Sequence, residues 1–351
     1  MVRALLARWP DATIDAFGGP RLAAAGARVL HPMEQVAAFG TVEILAKIPA
    51  HVALLRRLQA SFAQHAYDLV IPIDYPGFHL RVAEAAKRAG VPVLYYIAPQ
   101  LWAWRPQRAV RFAAAVDRLA VVLPFERAFF AGVGIRAEYV GHPLLDRGAP
   151  PARADARRAL GLDASARVLG LFPGSRDGEV ARMWAAFRDA GRLLLERGAC
   201  DQVIVAATPS GAYPDPGPIA LHRGDPVPLF SAVNAAIAKS GTTTLEAALA
   251  DTPMVVAYRA HPATWWLSRR LLTIARVSLV NLVAERDVVV ELLQDQVTPE
   301  RLAREALPLL TDGDARTTVQ REGLALVRER LGAPGAAERV ATLAGELLAG
   351  A

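Results

Sequence analysis

The chain has 351 residues, enough for two domains of ordinary size, and its 53% hydrophobic and 21% charged content describes a globular protein rather than a disordered one. No stretch holds the ~18 apolar residues that crossing a bilayer requires, and the N-terminus reads as lacking a signal peptide's apolar core and cleavage site. The net charge of +6 does not predict a nucleic-acid binder, because the basic residues are spread with no run of five, while binding several phosphates needs them clustered; such an excess suits anionic membrane surfaces and phosphate-bearing substrates.

Short apolar runs alternate with longer amphipathic ones, the signature of an α/β protein with parallel strands. Strands are predicted at 12–17, 68–74, 92–98, 118–123 and 137–140, with amphipathic helical segments such as 80–88 and 125–130 between them. A stretch rich in Pro, Ala and charge near 145–153 reads as a linker, which divides the chain into domains 1–148 and 149–351, the last helices of the second being candidates to pack back on the first. Beyond it the pattern restarts, with strands at 168–172, 202–207, 235–238 and 254–258 and helices at 179–197, 243–249 and 264–274. Residues past Thr298 look mostly helical. Two Rossmann-like halves facing a cleft is the expected architecture. Cys200 is the single cysteine, so no internal disulfide forms, and a buried thiol in a reducing cytoplasm is the simple reading.

Four stretches carry chemistry. "LGLFPGSRDGEV" is an apolar strand, a tight turn and a long helix. Gly174 permits the turn, the N–H groups around Ser175 face an anion, and Arg176 adds a cation, or else the turn is ordinary and Arg176 solvated. It is not a Walker loop, since the Gly-Lys-Ser/Thr ending is absent. "AIAKSGTTTLEAAL" repeats the design with Ser240, Gly241, Thr242 and Thr243. Glu246 there either binds a ribose diol or completes a Thr243-x-x-Glu246 capping box. Two anion turns in one domain favour a diphosphate ligand such as a nucleotide sugar. In "LVIPIDYPGFH", Asp74 ends a predicted strand, where a carboxylate points into the ligand crevice and can act as a base; the alternative is a turn or capping Asp. His142 in "VGHP" sits at a similar strand end, as a ligand contact or a structural imidazole. No Asp, Glu, His or Cys spacing suggests a metal site, and no cofactor is implied.

The ordered set "IDYPGF", "YYIAPQLWAWR", "LPFE", "VGHPL", "PGSRDGEV", "SGTTTLE", "PMVVAYR" and "VSLVNLVAERDVVVELLQ" resembles the lipid-A-disaccharide synthases, glycosyltransferases of the GT-B type, over nearly the whole chain. The resemblance implies transfer of 2,3-diacylglucosamine from its UDP derivative to 2,3-diacylglucosamine 1-phosphate, giving the β(1→6) disaccharide 1-phosphate and UDP. It implies inversion at the anomeric carbon without a metal. Asp74 is then the base on the acceptor 6-hydroxyl, and Arg176 with the Gly174 and Ser175 amides stabilises leaving UDP. Ser240 to Thr243 hold the diphosphate, Glu246 the ribose, and Asn281 lines the same cleft. Trp102, Trp104 and Arg105, with His142, lie on the acceptor side in the first domain; one Trp packs the loop and the other faces substrate. The nearest rival readings are another GT-B enzyme using UDP-N-acetylglucosamine, and a catalytically dead nucleotide-sugar or lipid-binding protein.

The chain departs from the family at several positions. Val280 stands for a Pro, Glu285 for a Gly, and Gly77 for the Asp of many relatives, which leaves Asp74 the only carboxylate of its turn. The family also begins with a strand and a Gly-Glu-Ala-Ser-Gly-Asp loop, whereas Met1 to Arg8 aligns with the helix after them. The expectation is a natural start further upstream, or a version of low stability and activity, since losing a central strand exposes an apolar edge. Acylated substrates imply a cytoplasmic protein held peripherally on the inner membrane's cytoplasmic face, with a second copy of the chain as a possible partner. Residues 39–58, with Lys47, Arg56 and Arg57, and 264–272, with Trp265, Trp266, Arg269 and Arg270, are the membrane-facing candidates, each alternatively packed on its own domain.

Overall fold

A computed structural model describes residues 1–32, 41–103, 109–260 and 275–350, with the backbone alone at 32 and 41–47. The chain divides into two compact units, Met1–Arg147 with Ala333–Ala351, and Gly148–Gly332.

The second unit is built on a six-stranded parallel sheet: β6 (Val168–Phe172), β7 (Gln202–Ala206), β8 (Ala220–His222), β9 (Ala235–Lys239), β10 (Met254–Tyr258) and β11 (Val290–Leu293). Its spatial order is β11-β10-β9-β6-β7-β8. Read from β8, the strands follow in the order third, second, first, fourth, fifth, sixth, the doubly wound Rossmann order. β6 is buried along its whole length and β9 and β10 nearly so, because helices cover both faces. α8 (Asp177–Glu196) shows how: Val180, Met183, Trp184, Phe187, Ala190 and Leu194 recur every three or four residues and enter the core. Around the sheet lie α7 (Arg153–Ala159), α9 (Pro226–Ala232), α10 (Thr242–Leu249), α11 (Leu279–Ala284), α12 (Pro299–Ala306) and α13 (Ala315–Leu331).

The first unit holds α1 (Val2–Arg8), β1 (Asp15–Gly18), α2 (Pro20–Ala23), β2 (Arg28–Pro32), α3 (Thr41–Ala63), α4 (Pro76–Arg88), β3 (Leu94–Tyr96), α5 (Ala109–Ala113), β4 (Arg118–Val121), α6 (Glu126–Gly132), β5 (Ala137–Tyr139) and the final helix, α14 (Ala336–Ala349). β1 and β2 form one parallel pair and β3-β4-β5 a separate parallel sheet. The strand expected over 68–74 is reduced to two isolated bridges, Val70 with Val93 and Ile73 with Tyr96. Pro72 has no N–H for a ladder, and Asp74 and Tyr75 turn to φ 48° and 47°. β2, β8 and β11 went unread in the sequence: β8 and β11 are the two edges of their sheet and β2 belongs to a two-stranded pair, so none carries the unbroken apolar run of a strand covered on both faces. The helix expected at 264–274 lies outside the described residues. From residue 48 onward α3 packs on its own unit, burying Leu54, Leu58 and Phe62 and leaving Arg56 and Arg57 exposed. None of the described helices is long and apolar enough to cross a membrane.

The chain returns to the first unit through α14. Asp146 accepts the N–H groups of Gly335, Ala336 and Ala337 at 2.7, 3.1 and 3.0 Å, capping that helix from a distant part of the sequence. Arg339 Nε donates to the Val140 carbonyl at 2.7 Å. Replacing Asp146 with Ala removes acceptors from three amides at once and is expected to cost about 1–2 kcal/mol in urea unfolding. An unchanged midpoint would mean that α14 docks through its apolar face alone.

Candidate active site

Parallel strands run in one direction, so the turns that follow neighbouring strands emerge at the same edge of the sheet. β6 and β9 are neighbours, with Phe172 opposite Ala238. Chain order reverses between them, and in open α/β sheets the ligand crevice lies at the carboxyl ends of such strands. After β6 the backbone passes Gly174 at φ +135° and enters α8, with Arg176 as its N-cap. After β9 it passes Gly241 at φ +144°, the N-cap of α10. Only glycine takes these φ values without strain. The amides of Gly174, Asp177 and Gly178 in the first turn, and of Gly241, Thr242 and Thr243 in the second, donate to no acceptor among the described residues. Two helix N-termini with open donors stand side by side, an arrangement that stabilises an anion with more than one charged group.

Glu179, the third residue of α8, lies beside the first of these turns. It accepts from Lys239 Nζ at 2.9 Å and from the Ser175 N–H at 3.2 Å, with Arg176 Nη1 3.6 Å away. Burial acts to raise the carboxyl's pKa, but the Lys239 hydrogen bond and charge outweigh it and hold the value below the usual range. Arg176 is exposed. Neither Glu179 nor Lys239 was singled out in the sequence, although each lies within a turn that was.

Several expected roles change. Ser240 is buried: its N–H pairs with the Ala257 carbonyl at 3.0 Å and its hydroxyl donates to Val277 at 3.0 Å, so both donors are committed to the fold. Thr243 is the second residue of α10 rather than its cap, so the capping box with Glu246 does not form; Glu246 is half-buried. Asn281 is buried and its amide is saturated. Nδ2 donates to Val289 O at 2.9 Å and Glu291 Oε1 at 2.8 Å, and Oδ1 accepts from Val288 and Val289 at 2.7 and 2.9 Å. Asn281 therefore shapes the loop instead of lining the cleft. Glu291 continues the network by accepting the Val277 and Ser278 amides, each at 2.8 Å. Glu285 sits in the left-handed region at φ 54° with its carboxylate 2.8 Å from Arg330.

In the first unit Asp74 is exposed and its backbone is held in an uncommon conformation. Its carbonyl accepts from the Tyr95 hydroxyl at 2.7 Å and lies 2.8 Å from His79 Nδ1, which is also 3.1 Å from the Ile73 carbonyl. Two carbonyls around Nδ1 require that nitrogen to carry the proton. Burial lowers the His79 pKa and raises that of Tyr95, so both stay neutral donors. Trp102 takes the packing role expected of one of the two Trp. It is buried edge-on against Phe125, and its indole N–H donates to Glu126 at 3.0 Å. Glu126 also accepts the Leu123 and Val122 amides, and burial pushes its carboxyl up to about 7 against those donors. Trp104 and Arg105 lie outside the described residues. His142 is buried, and its Nδ1 accepts the Leu144 N–H at 3.2 Å, a neutral structural imidazole.

Comparison with known proteins adds to this geometry. The family model of lipid-A-disaccharide synthetases matches residues 1–336. The lipid-A-disaccharide synthase of Geobacter metallireducens is 40% identical over 357 residues, covering 99% of this chain and 93% of that protein. That of Myxococcus xanthus is also 40% identical, again covering 99% and 93%. Among solved structures, Arabidopsis thaliana UGT89C1 complexed with UDP superposes with a TM-score of 0.63 at 12% identity, covering 98% of this chain and 94% of that one. The Neisseria meningitidis UDP-GlcNAc 2-epimerase bound to UDP-GlcNAc gives 0.59 at 12%, covering 94% and 88%. These structures establish the fold, α/β of the GT-B type. It is shared by transferases and epimerases, so the discrimination between them comes from the sequence relatives.

Burial pushes His142 down to about 4 from an ordinary 6.5, with the Arg147 charge adding to the effect. Its contribution to stability is complete above pH 6.5 and is lost as pH falls towards 4. Between pH 7 and 4 the chain should lose about 3 kcal/mol more unfolding free energy than the H142N variant, whose amide oxygen can accept the Leu144 N–H. Equal losses in urea unfolding at the two pH values would show that His142 does not carry this linkage.

Proposed function

This chain belongs to the lipid-A-disaccharide synthase family, and from that premise we propose how its residues divide the transfer. It is a glycosyltransferase of lipid A biosynthesis, taking 2,3-diacylglucosamine from its UDP derivative to 2,3-diacylglucosamine 1-phosphate. The observation that carries the donor side is the pair of glycine turns that follow the neighbouring strands β6 and β9, with amides that donate to no acceptor among the described residues. A diphosphate bridges two such helix N-termini as a single phosphate cannot, and Arg176 adds a cation. Glu246, one turn into α10, takes the ribose diol.

Asp74 receives the acceptor's 6-hydroxyl proton as that oxygen bonds to the anomeric carbon. The bond from that carbon to the β-phosphate oxygen breaks on the opposite face, inverting the centre, and its electron pair leaves with UDP. Arg176 and the turn amides stabilise the charge that develops there. The Tyr95 and His79 donors fix the Asp74 carbonyl and thereby aim its carboxylate. Both substrates are acylated, and Arg56 and Arg57 on the exposed side of α3 supply an electrostatic contact to an anionic lipid surface.

Transfer to labelled 2,3-diacylglucosamine 1-phosphate tests the reading. Asp74→Asn should lower kcat by about 10²–10⁴ while leaving the donor KM nearly unchanged, the mark of a lost general base. Disaccharide formation at the parent rate by D74N would remove Asp74 from the chemistry, and the absence of disaccharide with the parent chain would remove the acceptor assignment.

A further inference from the structure

We propose that Lys239 is a further diphosphate-binding residue of the donor site, and that Glu179 is an internal anion the incoming diphosphate displaces. This rests on the donor site proposed above and gives roles to two residues that the motif reading left without one.

Lys239 is the last residue of β9, immediately before the second glycine turn. Its ammonium reaches across the switch point to Glu179 in the first turn at 2.9 Å, and lies 3.6 Å from where a Cβ of Gly241 would stand. One cation therefore borders both turns. Glu179 has the opposite character. Its carboxylate accepts the Ser175 N–H, pairs with Lys239 and lies near Arg176. These are an amide at a glycine turn and two cations, the set that phosphate oxygens take. A Cβ on Gly174 would come within 2.7 Å of the same carboxylate, so the glycine leaves the space that Glu179 fills.

The Glu179 and Lys239 side chains keep only 14% and 17% of their exposure. A pair so withdrawn from water adds little net stability, because desolvation offsets the attraction. Its placement across two ligand-facing turns has a clearer use in exchange. A carboxylate brings one negative charge to these donors and the sugar-nucleotide diphosphate about two, so the ligand wins Ser175, Lys239 and Arg176 on electrostatic grounds. When UDP departs, Glu179 recovers the same partners, and the cations are not left unpaired.

The test is calorimetric titration of the full chain and its variants with UDP and with uridine, which shares the base and ribose but carries no phosphate. Lys239→Gln should weaken UDP about tenfold or more, the worth of one charge-assisted hydrogen bond, and leave uridine unchanged. Lys239→Arg should recover most of the loss. Glu179→Gln, with the competing charge gone, should tighten UDP several-fold and again leave uridine alone. Equal losses for UDP and uridine in K239Q would mark general damage and overturn the proposal. Unchanged UDP binding in K239Q, or weaker UDP binding in E179Q, would overturn it too. In these cases UDP binding by the parent chain leaves the donor site itself standing, whereas no UDP binding by the parent overturns both.

Discussion

The site depends on one topological constraint, the reversal of strand order between β6 and β9. A parallel sheet sends all its strands' carboxyl ends to one edge, and the reversal leaves two adjacent strands whose following helices turn to opposite sides. The opening between them is where backbone amides can meet a ligand without a covering helix. Each strand spends a glycine there, Gly174 and Gly241, both at φ values closed to other residues. The buried β6 and the apolar ridge of α8 hold those turns in place, which connects the hydrophobic pattern to the chemistry.

Charge around the turns is balanced rather than simply positive. Arg176 and Lys239 face Glu179, and Asn281 with Glu291 ties down the neighbouring loop through amides and a shared carboxylate. The Asn281 amide is saturated by the loop it holds, whereas the amides of Gly174, Asp177 and Gly178 and of Gly241, Thr242 and Thr243 donate to no acceptor among the described residues. The first unit follows similar economy. Two consecutive residues in the left-handed region, Asp74 and Tyr75, each cost of order 1–2 kcal/mol, and the Tyr95 and His79 donors help to offset that strain. Trp102 is committed to packing, with its indole N–H held by Glu126.

Much of this was legible in the residues. The apolar runs of β6, β9 and β10 read correctly because strands buried on both faces have no polar residue to interrupt them. The glycine turns were legible as geometry because strand, Gly and helix follow in sequence. What escaped were the consequences of three-dimensional neighbours. Ser240 and Asn281 look like ligand donors from their motifs, and only the approach of Val277 and of the Val288–Glu291 stretch uses up their hydrogen bonds. Lys239 and Glu179 lie 60 residues apart, and nothing local signals that they pair. Residues 68–74 carry a strand's composition, but Pro72 removes a donor, and the ladder shrinks to two bridges.

The most direct measurement of the central claim is amide hydrogen exchange with and without UDP. The open N–H groups of Gly174, Asp177 and Gly178 and of Gly241, Thr242 and Thr243 should exchange rapidly in the free protein and become protected together when UDP binds. Protection of one turn without the other, or of neither while UDP is bound, would contradict a diphosphate held across the switch point.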